Sequence, residues 1–257
     1  AALDHRDLLE MKLRMGLALS RDLASDLGRT LRTEPIPGYR YQYAHLFRYG
    51  DVDDARPDAR AAVDQAVAYA TTLTRHETPL LLALTGLAGR RHLLDIGGSS
   101  GELALQALEA GSTLEATVVD LPPVVAAGRR LQGPRADHPR LHWSEGSAFT
   151  SPLPEGVDAI TFKSMLHDWD DGRAAALLRR AWDHLPPGGE VIVFERRALD
   201  RSDHRPAAIG DLPLLTWAEA LRDPGWYAGV LSRLGAEVHV QRFDLDLPWC
   251  LVRATRR

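Results

Sequence analysis

The stretch His92-Leu93-Leu94-Asp95-Ile96-Gly97-Gly98-Ser99-Ser100-Gly101-Glu102-Leu103 decides the fold. A short apolar run carries an acid, passes into a glycine-rich turn and then enters the helical pattern Glu102 to Ala110. That order reads as strand, tight loop, helix. Gly97, Gly98 and Gly101 let the backbone approach a ligand and adopt φ values that a Cβ opposes. The new helix presents unpaired N–H groups and a positive dipole end. The next apolar run, Ala116-Thr117-Val118-Val119, closes on Asp120. An acid at the end of the second strand of such a unit suits ribose hydroxyls. The two runs together describe the nucleoside-binding half of a doubly wound sheet.

A dinucleotide fold uses G-x-G-x-x-G, so that the helix start receives a pyrophosphate. Here Asp95 stands two residues before the first glycine. Its carboxylate repels a pyrophosphate and suits an ammonium or sulfonium centre. S-adenosyl-L-methionine fits that charge pattern; NAD does not. The plainer alternative is a glycine turn that holds no ligand.

The 257 residues, 45% hydrophobic and 26% charged, provide material for one sizeable core. One α/β domain with a small helical appendage fits better than two equal domains. A formal net charge of −4 argues against a nucleic-acid partner. The single cysteine, Cys250, rules out an intramolecular disulfide and fits a reducing, cytoplasmic setting. No apolar run reaches membrane-spanning length, so no membrane partner is expected.

Leu8, Met11, Met15, Leu19, Leu23 and Leu27 recur at helical spacing and predict an amphipathic helix ended by Pro35-Ile36-Pro37-Gly38. An aromatic loop from Tyr39 to Tyr49 follows, able either to line a pocket for a flat substrate or to pack the appendage onto the main domain. Residues 1–57 are thus read as a helical lid or appendage, and 58–257 as the main domain. A helix is expected from Asp58 to about Arg75, and another from Pro79 to Leu87, with proline in its first turn. Arg75 and His76, at the break between them, are candidates for the substrate side.

Further on, the chain predicts a helix over Pro122–Leu131, strands Leu141–Trp143 and Val157–Phe162, and a helix Arg173–His184 capped by Asp170 or Asp171. A fifth strand, Val191–Phe194, follows the turn Leu185–Gly189. Helices over Ala207–Leu221 and Gly225–Leu234 precede a terminal hairpin of Glu237–Phe243 and Pro248–Val252. The sum is a Rossmann-like, doubly wound, mostly parallel seven-stranded sheet with a C-terminal antiparallel hairpin and a small N-terminal helical lid.

Between the fourth strand and its helix lies Phe162-Lys163-Ser164-Met165-Leu166-His167-Asp168-Trp169-Asp170-Asp171. Ligands of open α/β sheets bind outside the carboxyl ends of strands, so this turn faces the same crevice as the glycine loop. His167 there has the one side chain whose ordinary pKa suits proton abstraction near neutral pH. Glu195, directly after the fifth strand, is placed to take the second imidazole N–H and fix its tautomer. The plain alternative is a capping cluster, with Trp169 in the core. One histidine and flanking acids on a turn make a poor metal ligand set, and no metal is expected.

These residues carry a resemblance. LLDIGGSSGELA (93–104), VVDLPPVV (118–125), GSAF (146–149), FKSMLHDWDD (162–171) and LPPGGEVIVFE (185–195) occur in the order found in S-adenosylmethionine-dependent O-methyltransferases. The chain resembles the plant caffeate and flavonoid type and its bacterial relatives in polyketide tailoring. The resemblance implies His167 as the base that deprotonates a substrate hydroxyl, with Glu195 positioning it. It implies S-adenosyl-L-methionine as cofactor and S-adenosylhomocysteine as product. Gly97, Gly98 and Gly101 would then lie beside the methionine part, and Asp120 on the ribose. Leu121 with Ser147, Ala148 and the adjoining Phe149 would frame the adenine, and Lys163 would lie near the polar end. Trp169 joins Arg75 and His76 as a substrate-side candidate.

Three departures accompany the match. Ser147 stands where the family carries an acid. The family's second flanking glutamate falls near Ala220–Pro224, where the chain reads Leu221-Arg222-Asp223-Pro224 and only Glu219 or Asp223 is acidic. The family's winged-helix dimerisation region is too long for the first 57 residues. A monomeric domain, or part of a larger synthase acting on a carrier-tethered intermediate, is therefore expected beside a free small-molecule acceptor. The alternatives are C-methylation of an enolisable keto substrate and a non-catalytic domain that binds the cofactor.

Overall fold

The computed structural model describes residues 5–14, 17, 57–198, 221–245 and 247–257. Within it, β1 (His92–Ile96), β2 (Glu115–Asp120), β3 (Leu141–Glu145), β4 (Ala159–Lys163), β5 (Glu190–Arg196), β6 (Glu237–Asp244) and β7 (Pro248–Thr255) form one sheet. Their order is β3-β2-β1-β4-β5-β7-β6. The pairings through β5 are parallel, and β7 runs antiparallel to both β5 and β6. The strand order reverses at β1, so the chain leaves β1 and β4 on opposite sides of a crevice at their carboxyl ends.

The inner strands bury both faces, which is why they read as continuous apolar runs. Leu94, Ile96, Ile160, Phe162, Val191 and Val193 pack on one face with Leu177, Leu178 and Trp182. Leu93, Ala116, Val118, Ile192 and Phe194 pack on the other with Leu103, Ala107 and Leu108. These layers are closed by α2 (Glu102–Ala110), α3 (Pro122–Gln132), α4 (Asp171–His184) and α5 (Pro224–Arg233).

The two helices expected on either side of Arg75 are one. Helix α1 runs unbroken over Pro57–Thr85 with Pro79 inside it. Proline removes the N–H that the Arg75 carbonyl would accept. Gln106 Nε2 donates to that carbonyl instead, at 3.2 Å, which repairs the defect from α2. Strand β5 is also longer than expected. Pairing of Glu195 with Cys250 and of Arg196 with Trp249 extends it, so Glu195 lies within the strand rather than after it.

Residues 6–14 are helical, in agreement with the start of the expected amphipathic helix. The remainder of that helix (Leu17 apart), the aromatic loop and the expected helix from Ala207 lie outside the described residues. Among the described residues, no helix is long and apolar enough to cross a membrane.

Candidate active site

The crevice holds a cleft of about 670 Å³. Its floor is the turn after β1 and the ends of β2 and β4; its roof is α1. On α1, Ala66, Val67, Ala70, Leu73 and Thr74 face the cleft at helical spacing. Of the residues singled out in the sequence, Asp95, Gly97, Gly98, Asp120, Leu121, Ser147, Ala148, Phe149, Lys163, His167 and Trp169 all line it.

The glycine turn is tightly specified. Gly97 and Gly101 hold φ of 71° and 69°, and Gly101 caps α2. A Cβ on Gly98 would stand 2.6 Å from Asp95 Oδ2, so the turn closes over that carboxylate only with glycine there. Asp95 is buried and accepts from Thr161 Oγ1 at 2.7 Å. Burial pushes its carboxyl up to about 6, against the Thr161 hydroxyl and the Lys163 cation. Asp120 accepts from the backbone N–H of Ser99 and of Leu121, each at 2.8 Å. Desolvation raises it, too, to about 6, with Asp95 and Asp168 adding repulsion against those two N–H groups. Two carboxylates costly to ionise therefore face one cleft, a setting that a bound cation relieves.

Across the crevice, His167 sits in a short 3₁₀ turn, Leu166–Asp168. Its Nδ1 lies 2.8 Å from Glu195 Oε2. The other oxygen, Oε1, accepts from the N–H groups of Met165 and Leu166 at 2.8 and 2.7 Å. One fully buried carboxylate thus fixes both the ring and the backbone that carries it. Burial would raise Glu195, but the imidazole and the two N–H groups hold it below the ordinary carboxyl range. Burial would lower His167, but Glu195 and Asp168 outweigh it and raise the imidazole above its ordinary value. Asp168 Oδ1 lies 3.4 Å from Nε2.

Asp168 is the second acid at the imidazole. Asp223 is not: it caps α5 by accepting from Gly225 N at 2.7 Å and from Arg242 at 2.9 Å. Leu221 is buried in the core, and Glu219 lies outside the described residues. Of the two proposed caps for α4, Asp170 is the one used, accepting from Arg173 N at 2.8 Å.

Three expected site residues turn elsewhere. Arg75 and His76 are not among the residues that line the cleft. They hold Asp7, at 3.2 and 2.9 Å, because α1 continues through them and turns them away from the cleft. Lys163 lines the cleft, but its amine bonds Glu77 Oε2 on α1 at 2.5 Å. Glu77 Oε1 accepts from Arg196 Nη2 at 3.0 Å, and the Arg196 guanidinium lies 4.4 Å from the centre of the Trp249 ring. This buried triad ties the roof to the ends of β4 and β5. Trp169 meets Phe149 edge-on, with ring centres 4.5 Å apart, so the substrate-side candidate closes the adenine-side loop. Arg180 of α4 holds that loop through the carbonyls of Ala148 and Ser151. Ser147 Oγ accepts from Phe149 N at 3.2 Å, a loop-shaping role.

The sequence reading missed Glu77, Arg196, Asp168 and the inner face of α1. Only the last left a signal, its apolar stripe; Glu77 and Arg196 matter through contacts across long sequence separations, and Asp168 through its place beside the neighbouring imidazole.

A sheet of this order, with acids at the carboxyl ends of β1 and β2 and a carboxylate-held histidine after β4, defines a Rossmann-like fold of the methyltransferase class. The chain belongs to the O-methyltransferase family: residues 27–235 match the model of its O-methyltransferase domain. It is 36% identical over 199 residues to the 2,7-dihydroxy-5-methyl-1-naphthoate 7-O-methyltransferase of Streptomyces carzinostaticus, covering 75% of this chain and 55% of that one. It is 36% identical over 126 residues to the 3-hydroxy-5-methyl-1-naphthoate 3-O-methyltransferase of Streptomyces sahachiroi, covering 49% and 35%. The match thus spans about half or less of these relatives' own length. An O-methyltransferase from neocarzinostatin biosynthesis, solved with S-adenosyl-L-homocysteine and 1,4-dihydroxy-2-naphthoic acid, superposes with a TM-score of 0.66. That structure is 27% identical, and the alignment covers 100% of this chain and 74% of it. Human N-acetylserotonin methyltransferase, at 22% identity and a TM-score of 0.72 over 97% and 70% of the two chains, shares the fold.

Proposed function

We propose that the chain is the catalytic domain of an S-adenosylmethionine-dependent O-methyltransferase acting on a hydroxyl of a small aromatic natural product. The observation that carries this reading is the imidazole of His167, held by Glu195 in the cleft that also contains Asp95 and Asp120. The residues present fit the cofactor. The carboxylates suit its cationic groups and ribose hydroxyls, and the Gly97–Gly98 turn leaves room for close backbone approach. Leu121, Ala148 and Phe149 offer an apolar frame for the adenine. When bound, S-adenosylmethionine supplies a methyl group already activated on a sulfonium.

The protein then has two tasks. It must orient the acceptor oxygen, for which alignment contributes up to roughly 7–11 kcal/mol in the best cases. It must also remove the hydroxyl proton. His167 Nε2 takes that proton while Nδ1–H keeps donating to Glu195, whose charge stabilises the imidazolium. A positioned base of this kind contributes a factor of about 10² to 10⁴. The named activities of the naphthoate relatives support a fused-ring phenol as acceptor class.

The test incubates the protein with methyl-labelled S-adenosylmethionine and a panel of hydroxylated arenes that includes 1,4-dihydroxy-2-naphthoic acid, and reads products by NMR. The expected label sits on oxygen. A label on carbon would move the assignment to enolate chemistry, and binding without turnover to a non-catalytic domain. Panel members presented on a carrier protein separate the tethered from the free acceptor. In His167→Ala, turnover should fall by at least about 10²-fold with S-adenosylhomocysteine affinity nearly unchanged.

A further inference from the structure

Glu195 holds the His167 turn by its N–H groups, and a second residue holds the same turn by its carbonyls. Arg222 Nη1 donates to the carbonyl of Leu166 at 2.9 Å, and Nη2 donates to that of Trp169 at 2.5 Å. Its Nε donates to Asp171 Oδ1 at 2.7 Å. The three acceptors lie on both sides of His167, and the Arg222 side chain is only 10% exposed. The guanidinium carbon lies 4.6 Å from the centre of the Trp226 ring, which fixes the plane of the fork. The backbone of Arg222 is anchored too: its carbonyl accepts from Ala198 N at 3.2 Å, just beyond the strand that carries Glu195. Both grips on the turn therefore start from the end of β5.

We infer that Arg222 is a positioning residue that sets the imidazole of His167, acting through the backbone of the 166–171 turn. A planar fork with five donors matches this geometry, and a single ammonium does not. Arg222 lies in the stretch 220–224, near which the resemblance expects the family's second flanking glutamate, and it holds the backbone on either side of the ring. The inference rests on the reading of His167 as the base.

The experiment compares Arg222→Met, His167→Ala and the double variant. The readouts are turnover with 1,4-dihydroxy-2-naphthoic acid or the best panel acceptor, S-adenosylhomocysteine affinity, and the ¹⁵N-histidine spectrum. His167→Ala assigns the imidazole signal. A protected Nδ1–H signal is expected in the native protein and should be lost or broadened in Arg222→Met. Turnover should fall between about tenfold and 10²-fold, as small misplacements of reacting groups do, with inhibitor affinity within twofold. In the His167→Ala background the second substitution should cost nothing more. If Arg222→Met does not fold, Arg222→Lys keeps the cation without the fork, and the same split is expected. An unchanged signal and turnover, or losses that multiply in the double variant, would overturn the inference. Full turnover in His167→Ala would instead overturn the base assignment, and the Nδ1–H signal alone would then decide whether Arg222 holds the turn.

Discussion

The two turns that face each other across the crevice are held in different ways. The glycine turn, 97–101, is built almost wholly within the β1–β2 unit: Gly97 N donates to Val119 O, Ser99 N to Asp120, and Gly101 N to Gly98 O. Its outside contacts, Thr71 and Gln132 on Ser100, come from flanking helices. The histidine turn is held from far along the chain, by Glu195 through its donors and by Arg222 through its acceptors. The first is a cradle whose shape local sequence dictates. The second is a mount, set by side chains that meet only after the sheet has formed.

The largest effect expected on stability comes from breaking the seam between roof and mount. Glu77→Gln leaves the buried cations of Lys163 and Arg196 without their shared carboxylate. The loss should be about 3–5 kcal/mol, read from the denaturant midpoint. Because Lys163 precedes the histidine turn and Arg196 follows Glu195, turnover should fall more than S-adenosylhomocysteine affinity. An unchanged midpoint would mean that the triad does not hold the roof.

A smaller effect separates the two turns by pH. In the proposed site Asp95 and Asp120 are the carboxylates that receive the cationic cofactor in their ionised form, and both are raised to about 6. Affinity for S-adenosylmethionine should therefore fall from pH 7 to pH 5, by about tenfold for each carboxylate. Asp95→Asn should flatten this profile. As the proposed base, His167 would have to be neutral to act, and its pKa is raised above 6.5. The acid limb of kcat should thus lie above 6.5, higher than the limb for affinity. Coincident limbs would show that one group governs both.

The sign for folding runs the other way. All three groups have folded values above their ordinary ones, so their stabilising contribution is present at low pH. It fades as pH rises through about 6 for the two acids and above 6.5 for His167. Deprotonating the three groups therefore costs the ligand-free fold part of its stability.

The same contrast explains what the sequence disclosed. The glycine turn, Asp120 and the strand pattern were legible because strand, turn and helix chemistry is local. His167 and Glu195 were legible because each sits at a strand's carboxyl end, where the topology brings them together. Glu77 and Arg222 were not, since a charged residue on a helix face or before a helix reads as solvated until its partner strand is in place. The break at Pro79 was misread for the same reason: the Gln106 side chain that repairs it belongs to another helix. Nearness in sequence puts Arg75 and His76 on the substrate side, while α1 carries them away from the cleft to Asp7.

The most direct test of the account is a crystal structure with S-adenosylhomocysteine bound. The ribose should lie on Asp120 and the methionine part along Gly97 and Gly98. The sulfur should open toward His167 Nε2 with no side chain between them. A sulfur on the far side of the sheet from that imidazole, or one walled off from it, would contradict the assignment of His167 as the base.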